Sequence, residues 1–262
     1  MLKFQHASRA SQGARPYQED ASAVWPGSDI KMPTGTSEPP EGTALVAVLA
    51  DGMGGHAGGA LASSTICSTF LSSFAGANGE GRVRLKTSLA AANEALTHKV
   101  AANPQLAGMG ATLVGAAIGD AGLSWISVGD SPMYLYRAGE LVQLNEDHSL
   151  APVIDRMVEQ GRMSPEEARA DPRRHYLRSA VTGDEIELID APERPLELAP
   201  GDVVVIASDG LHTLEPEAVR DVIASCAGDG ADAVADALIR SVVEADEPHQ
   251  DNTTVVVVMV GE

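Results

Sequence analysis

Residues 44–50 form an unbroken apolar run of strand length that stops at Asp51, the mark of a strand buried on both faces. A glycine-rich turn follows, Asp51-Gly-Met-Gly-Gly-His56, and the apolar spacing then becomes helical. Leu61, Thr65, Ile66, Thr69, Phe70 and Ser73 share one face and predict a helix over 59–74. Leu85, Leu89, Ala92, Leu96 and Val100 form a second stripe and predict a helix over 82–103, stopped by Pro104. The pattern then shortens to β-rich runs at 111–118, 122–128, 133–137 and 141–144. Turn signals at Gly119-Asp120 and Ala138-Gly139 make these an expected antiparallel meander.

Residues 145–182 are charged and mostly helical in propensity, with an N-cap signal at Ser164-Pro165-Glu166-Glu167. The β-branched runs 203–208 and 253–260 predict two further strands, and 216–225 and 231–243 predict helices between them. A stretch rich in Pro, Gly, Ser and Thr at 29–42 is an expected surface loop. Two helices after the first strands, then strands, then a strand–helix–helix–strand ending, point to an α+β fold. Its expected form is two antiparallel β-sheets packed as a sandwich with helices on both outer faces, α-β-β-α.

Composition narrows the function classes. The formal net charge of the 262 residues is -19. Such a surface repels nucleic-acid backbones and anionic membranes, so neither is an expected partner. It also repels a phosphorylated substrate unless a bound cation reverses the local field. Cys67 and Cys226 give no disulfide framework or zinc spacing and are expected to be buried free thiols. No run approaches the roughly 20 apolar residues of a membrane span. These features together make the cytoplasm the expected location. Trp25 and Trp125 are expected in the core.

The candidate chemistry is carboxylate. Asp51 and Asp209 end apolar runs, Asp251 opens the last one, Asp130 sits in a turn between two, and Glu19-Asp20 follow an expected strand entry at Arg15. Carboxylates gathered at one sheet rim repel one another unless a cation neutralises them. Oxygen ligands without His or Cys select Mg²⁺ or Mn²⁺.

In this order along nearly the whole chain, several segments resemble the protein phosphatase 2C family of metal-dependent serine/threonine phosphatases. They are Arg15-Pro-Tyr-Gln-Glu-Asp20, Ala50-Asp-Gly-Met-Gly-Gly-His56, Gly108-Met-Gly-Ala-Thr-Leu113, Val128-Gly-Asp-Ser131, Asp147-His-Ser-Leu150, Ser208-Asp-Gly-Leu211 and Asp251-Asn-Thr-Thr-Val255. The resemblance implies one catalytic domain over 1–262 with a flap at about 145–182. Its implied activity is hydrolysis of phosphoserine and phosphothreonine in proteins by a bridging water activated by two Mn²⁺ or Mg²⁺ ions, with a third, weaker ion.

By the same resemblance Asp51 is shared by the two ions, the Gly52 carbonyl joins one, and Asp209 and Asp251 complete the other. Glu19 and Asp20 hold waters, Asp130 binds the third ion and Arg15 grips the phosphate. Implied partners are phosphoprotein substrates and a cognate serine/threonine kinase, with the chain a monomer.

The chain departs from the family pattern at Gln18 for Asn, Pro132 for Arg, His175 for Asn or Ser, and Met53 where animal members carry His. His56 is a loop residue or a general acid, the loop reading being preferred, and His175 is a surface residue of the flap or a neighbour of the third ion, the surface reading being preferred. A catalytically silent binding module of the same fold and a two-metal nuclease are the competing readings; the charge opposes the second.

Overall fold

The structure, a computed structural model, describes residues 2–27, 38–54 and 57–261. Most of the expected loop at 29–42, and His56, lie outside the described residues. In chain order the strands are Lys3–Ser11 (β1), Ala21–Trp25 (β2), Thr43–Ala50 (β3), Gly52–Met53 (β4), Gly110–Ala111 (β5), Leu113–Gly119 (β6), Gly122–Val128 (β7), Met133–Arg137 (β8), Glu140–Gln143 (β9), Val203–Ala207 (β10) and Thr253–Gly261 (β11). The helices are Ala57–Gly76 (α1), Gly81–Ala102 (α2), Ala151–Glu159 (α3), Pro165–Ala170 (α4), Pro216–Cys226 (α5) and Ala231–Glu244 (α6).

The strands make a five-stranded sheet in the order β1-β11-β10-β8-β9 and a four-stranded sheet in the order β2-β3-β6-β7, with a small β4-β5 pair. Every pairing is antiparallel. α1 and α2 cover the outer face of the four-stranded sheet, and α6 and α5 that of the five-stranded one. This is the expected α-β-β-α sandwich.

The unbroken apolar runs have a simple cause: both faces of each central strand are covered. In β3, Leu45, Ala47 and Leu49 point between the sheets, while Val46, Val48 and Ala50 meet Ile66 and Phe70 of α1 and Leu85 and Leu96 of α2. In β10 and β11, Val204, Ile206, Val256 and Val258 fill the inter-sheet core, while Val205 and Val257 pack under Ile223 and Leu238 of α5 and α6. Each such side chain contributes about 1.5–3 kcal/mol by leaving water. Gly115 of β6 lets α1 approach, since a Cβ there would stand 2.3 Å from the Phe70 ring.

Two expectations about the strands change. The meander is two hairpins in different sheets: β6–β7 in the four-stranded sheet and β8–β9 in the five-stranded one. Gly129, at φ 104°, turns the chain out of the first sheet, and Pro132 has no N–H with which to continue pairing. No strand begins at Arg15; residues 12–20 are the connection between β1 and β2. β1 itself carries too little apolar alternation to announce a strand, and its pairing with β11 supplies the order.

The turn at Ala138-Gly139 holds, with both residues at positive φ, 53° and 88°, as a primed hairpin turn requires. The capping box at Ser164 is also present, with Glu167 N donating to Ser164 Oγ at 3.1 Å and Ser164 N to Glu167 Oε2 at 2.9 Å. The helical expectation for 145–182 holds for α3, α4 and a short 3-10 turn at Pro172–His175. Beyond it the chain runs extended, bridging Leu177 to Ser149 and Val181 to Ala111.

Trp25 and Trp125 are buried. Cys67 is a buried free thiol, pushed up to about 12 by desolvation. Cys226 is free but only half-buried, against expectation, because it sits at the exposed end of α5. No helix among the described residues is long and apolar enough to cross a membrane.

Candidate metal centre

Strand ends place the carboxylates. β3 delivers Asp51 at its C-terminal end, β10 delivers Asp209 just past Ala207, Asp251 precedes β11, and the crossing between β7 and β8 holds Asp130. These ends meet at one edge of the sandwich. A cleft of about 790 Å³ opens there, lined by every expected site residue except Asp20. Asp20 lies beneath it, its Oδ2 accepting from Ser208 Oγ at 2.8 Å.

Loop packing holds the parts in register. Asn252 Oδ1 accepts from Glu19 N at 2.7 Å, and its Nδ2 donates to the carbonyls of Gln12 and Tyr17 at 2.8 and 3.0 Å. That one buried side chain fastens the Arg15–Asp20 connection to the start of β11. Gln250 Nε2 donates to the Gly210 carbonyl at 3.1 Å and so ties the Asp209 turn to the Asp251 loop. Gln18, standing for the family's Asn, accepts from Asp20 N at 3.0 Å and keeps the amide's work. Gly52 has no room for a side chain, since a Cβ would lie 2.4 Å from the carbonyl oxygens of Glu19 and Gly59.

Asn252, Gln250, Ser208 and Asn145 were not singled out by sequence reasoning. Ser208 and Asn252 lie within family-like segments, and the signal for Gln250 was adjacency to an acidic residue at a strand end.

The electrostatics are those of crowded carboxylates. Asp51 is held well above the ordinary carboxylate range, first by burial and then by Asp209, Asp20 and Asp130. Asp209 is raised by burial and by Asp251. Burial, with Asp209 adding repulsion, pushes Asp20 up to about 6, and burial, Asp209 and Asp147 push Asp130 up to about 7.

Glu19 Oε1, Asp20 Oδ1 and Asp209 Oδ1 are buried with no hydrogen-bond partner. Buried carboxylate oxygens without donors are costly unless a cation answers them. The donor set therefore fits hard divalent ions.

Among the described residues no group of three or more His, Cys, Asp or Glu side chains is close enough to hold an ion unaided. Arg15 Nη2 reaches Asp251 Oδ2 at 2.5 Å, and Asn252 N donates to Asp251 Oδ1 at 2.7 Å. Asp251 thus faces the guanidinium in this geometry. His175 is exposed, as expected, but on the cleft wall, beside Tyr176 and Arg178.

Residues 35–244 match the family model described as Protein phosphatase 2C. The serine/threonine protein phosphatase PstP of Mycobacterium tuberculosis is 35% identical over 170 residues, 64% of this chain; the match spans only 32% of that protein's length. Protein phosphatase PhpP of Streptococcus pneumoniae is 31% identical over 185 residues, covering 68% of this chain and 72% of that one. Among solved structures, the M. tuberculosis phosphatase PstP/Ppp superposes with a TM-score of 0.79 at 29% identity, all of both chains being covered. The catalytic domain of PstP in complex with two manganese ions does so at 0.77 and 30%, again over all of both chains. With an acid-lined cleft at the sandwich edge and a family match over most of its length, this chain belongs to the protein phosphatase 2C family.

Proposed function

We propose that this chain is a Mn²⁺- or Mg²⁺-dependent phosphatase that removes phosphate from phosphoserine and phosphothreonine in proteins, reversing a serine/threonine kinase. The observation that carries it is the set of buried, partnerless carboxylate oxygens on Glu19, Asp20 and Asp209 in and beneath a cleft that also holds Arg15. Relatives named as serine/threonine phosphatases, one solved with two manganese ions, support the reading.

In it, residues 1–262 act as one catalytic domain and 145–182 as a flap beside the cleft. The chain works as a monomer in the cytoplasm. Asp51 and the Gly52 carbonyl, with Asp209 and Asp251, hold the two core ions; Glu19 and Asp20 orient waters; Asp130 holds a third ion.

When bound, a pair of divalent cations lowers the pKa of coordinated water and screens the phosphoryl charge. The chain's own residues do the rest. Arg15 leaves Asp251 for the substrate and forks two phosphate oxygens, a charge-assisted contact that a Lys could not match in geometry. Glu19 and Asp20 offer acceptor oxygens that align the attacking water. The buried strands beneath keep these groups from moving apart. No side-chain nucleophile is required, so no phosphoenzyme forms.

The test is phosphate release from a phosphothreonine peptide. Activity should appear with Mn²⁺ or Mg²⁺ and vanish after treatment with excess EDTA. Undiminished activity in the stripped protein overturns the mechanism. Mn²⁺ binding without any turnover favours the silent binding module instead.

A further inference from the structure

Two of the carboxylate turns come together where the chain leaves one sheet for the other. Asp51 ends β3 of the four-stranded sheet, while Asp130 lies on the crossing from β7 of that sheet to β8 of the five-stranded one. Between them lies a wholly buried pair of hydroxyls. Thr112 Oγ1 accepts from Asp51 N at 3.0 Å and meets Ser131 Oγ at 2.7 Å. Thr112 N also donates to the Asp51 carbonyl at 2.9 Å, so Thr112 grips Asp51 by both backbone groups. Thr112 is 3% exposed and Ser131 1%.

The far side of the Asp130 turn is held equally firmly. His148 Nδ1 accepts from Gly129 N at 3.2 Å, and His148 N donates to the Gly129 carbonyl at 3.0 Å. Asn145 Nδ2 donates to the Ser131 carbonyl at 2.9 Å, while its Oδ1 accepts from Met133 N at 2.7 Å. Gly129 completes the fit, for a Cβ there would stand 2.6 Å from the Thr112 methyl.

The Asp130 turn is therefore clamped on one side by His148 and Asn145. On the other the Thr112–Ser131 hydroxyl contact adds a side-chain tie to the β6–β7 pairing of Leu113 with Val128. Valine–valine packing would serve as well to fill the space; a hydroxyl pair fixes distance and direction, which apolar contact does not.

We infer that the Thr112–Ser131 hydroxyl pair is a positioning device that sets the spacing of the Asp51 and Asp130 turns, and so the Mn²⁺ or Mg²⁺ affinity of the adjoining ion positions that these two residues serve. The inference rests on the metal-dependent reading above. Thr112 and Ser131 touch no reacting atom in it; they act through the backbone of Asp51 and the turn of Asp130.

The experiment is Mn²⁺ titration calorimetry on metal-stripped wild type, Thr112→Val, Thr112→Ser and Ser131→Ala, beside thermal melts of the metal-free proteins. Thr112→Val keeps the shape and deletes the hydroxyl. It should weaken Mn²⁺ binding roughly ten- to hundredfold, the usual penalty for losing a group that orients a ligand. Thr112→Ser should restore most of that affinity. At saturating Mn²⁺ the KM for a phosphopeptide should stay within about twofold of wild type, since the substrate grip is untouched.

If Thr112→Val fails to fold, Ser131→Ala carries the test, because it leaves the Asp51–Thr112 bond in place. Wild-type affinity in Thr112→Val and Ser131→Ala overturns the inference. So does an affinity loss that Thr112→Ser does not repair, which would be ordinary core damage. Absence of Mn²⁺ binding in wild type would instead overturn the metal reading itself.

Discussion

The two ends of β10 carry the same residue type and treat it in opposite ways. At the N-terminal end Asp202 is buried, and Arg137 answers it with a two-pronged contact, Nε to Oδ1 at 2.7 Å and Nη2 to Oδ2 at 2.6 Å. Ala199 N adds a third bond at 2.7 Å, and these partners hold Asp202 below the ordinary range although burial alone would raise it. At the C-terminal end Asp209 has one buried oxygen with no partner, and burial together with Asp251 raises it. One strand thus presents a neutralised carboxylate at one rim and an uncompensated one at the other. Strain of this kind persists only where the surrounding fold enforces it, and it marks the C-terminal end of β10 as the candidate site.

The comparison can be broken most decisively by activity. Asp209→Asn and Asp251→Asn should each lower kcat by several orders of magnitude, because each removes a formal charge from the ion site. Asp202→Asn, at the other end of the strand, should leave kcat unchanged in protein that remains folded. Steady-state turnover of a phosphothreonine peptide at saturating Mn²⁺ decides; near-wild-type kcat in Asp209→Asn would erase the distinction.

Arg15 offers a smaller effect. Arg15→Ala should lower kcat/KM by roughly ten- to hundredfold, the about 1.5–3 kcal/mol of a lost charge-assisted contact, and mainly through KM. Arg15→Lys should recover part of it. Kinetics on the peptide and on a small aryl phosphate read this out; a change within about twofold on both would remove Arg15 from the phosphate site.

Stability should move in opposite directions at the two rims. Without metal, Asp209→Asn relieves repulsion and should raise the melting temperature. Asp202→Asn removes the charge opposite Arg137, whose side chain is 43% exposed and whose Nη2 keeps its bond to the Glu197 carbonyl. It should cost about 1–2 kcal/mol, or roughly 2–8 °C in a chain of this size. Melts of both variants in EDTA test the pair, and a fall in both would mean that Asp209 is structural too.

The last effect is in pH. Groups raised in the folded state, Asp20 to about 6 and Asp130 to about 7, keep their protons longer than they do unfolded. The metal-free fold is therefore favoured at low pH and loses that advantage as pH rises from about 4 through these values. Asp202, lowered in the fold, works the other way, its contribution present above the unfolded value and lost as pH falls through the folded one. In EDTA the melting temperature should fall between pH 5 and pH 8, and saturating Mn²⁺ should flatten the curve. A metal-free curve that rises over this window would show that the cluster does not repel.

Much of the molecule was legible along the chain. The valine runs of β10 and β11, the apolar stripes of α1 and α2 and the capping box at Ser164 all state their structure locally, because burial on both faces, helical period and cap chemistry leave plain patterns. Of the eight candidate site residues, the six carboxylates were legible as acidic groups near strand ends within family-like segments, while Arg15 and Gly52 came with those segments alone.

What the sequence could not carry was pairing. Nothing in residues 111–144 says that the hairpins 113–128 and 133–143 part company, because each is locally self-sufficient and only Gly129, Pro132 and the competing strands decide it. Nor does a lone Asn252, Thr112 or His148 declare a task, since each hydrogen-bonds to backbone brought from elsewhere in the chain. Sequence determined which groups are available and which segments must be buried. Tertiary structure alone decided which buried oxygens found a donor and which did not, because that depends on strand ends meeting across two sheets.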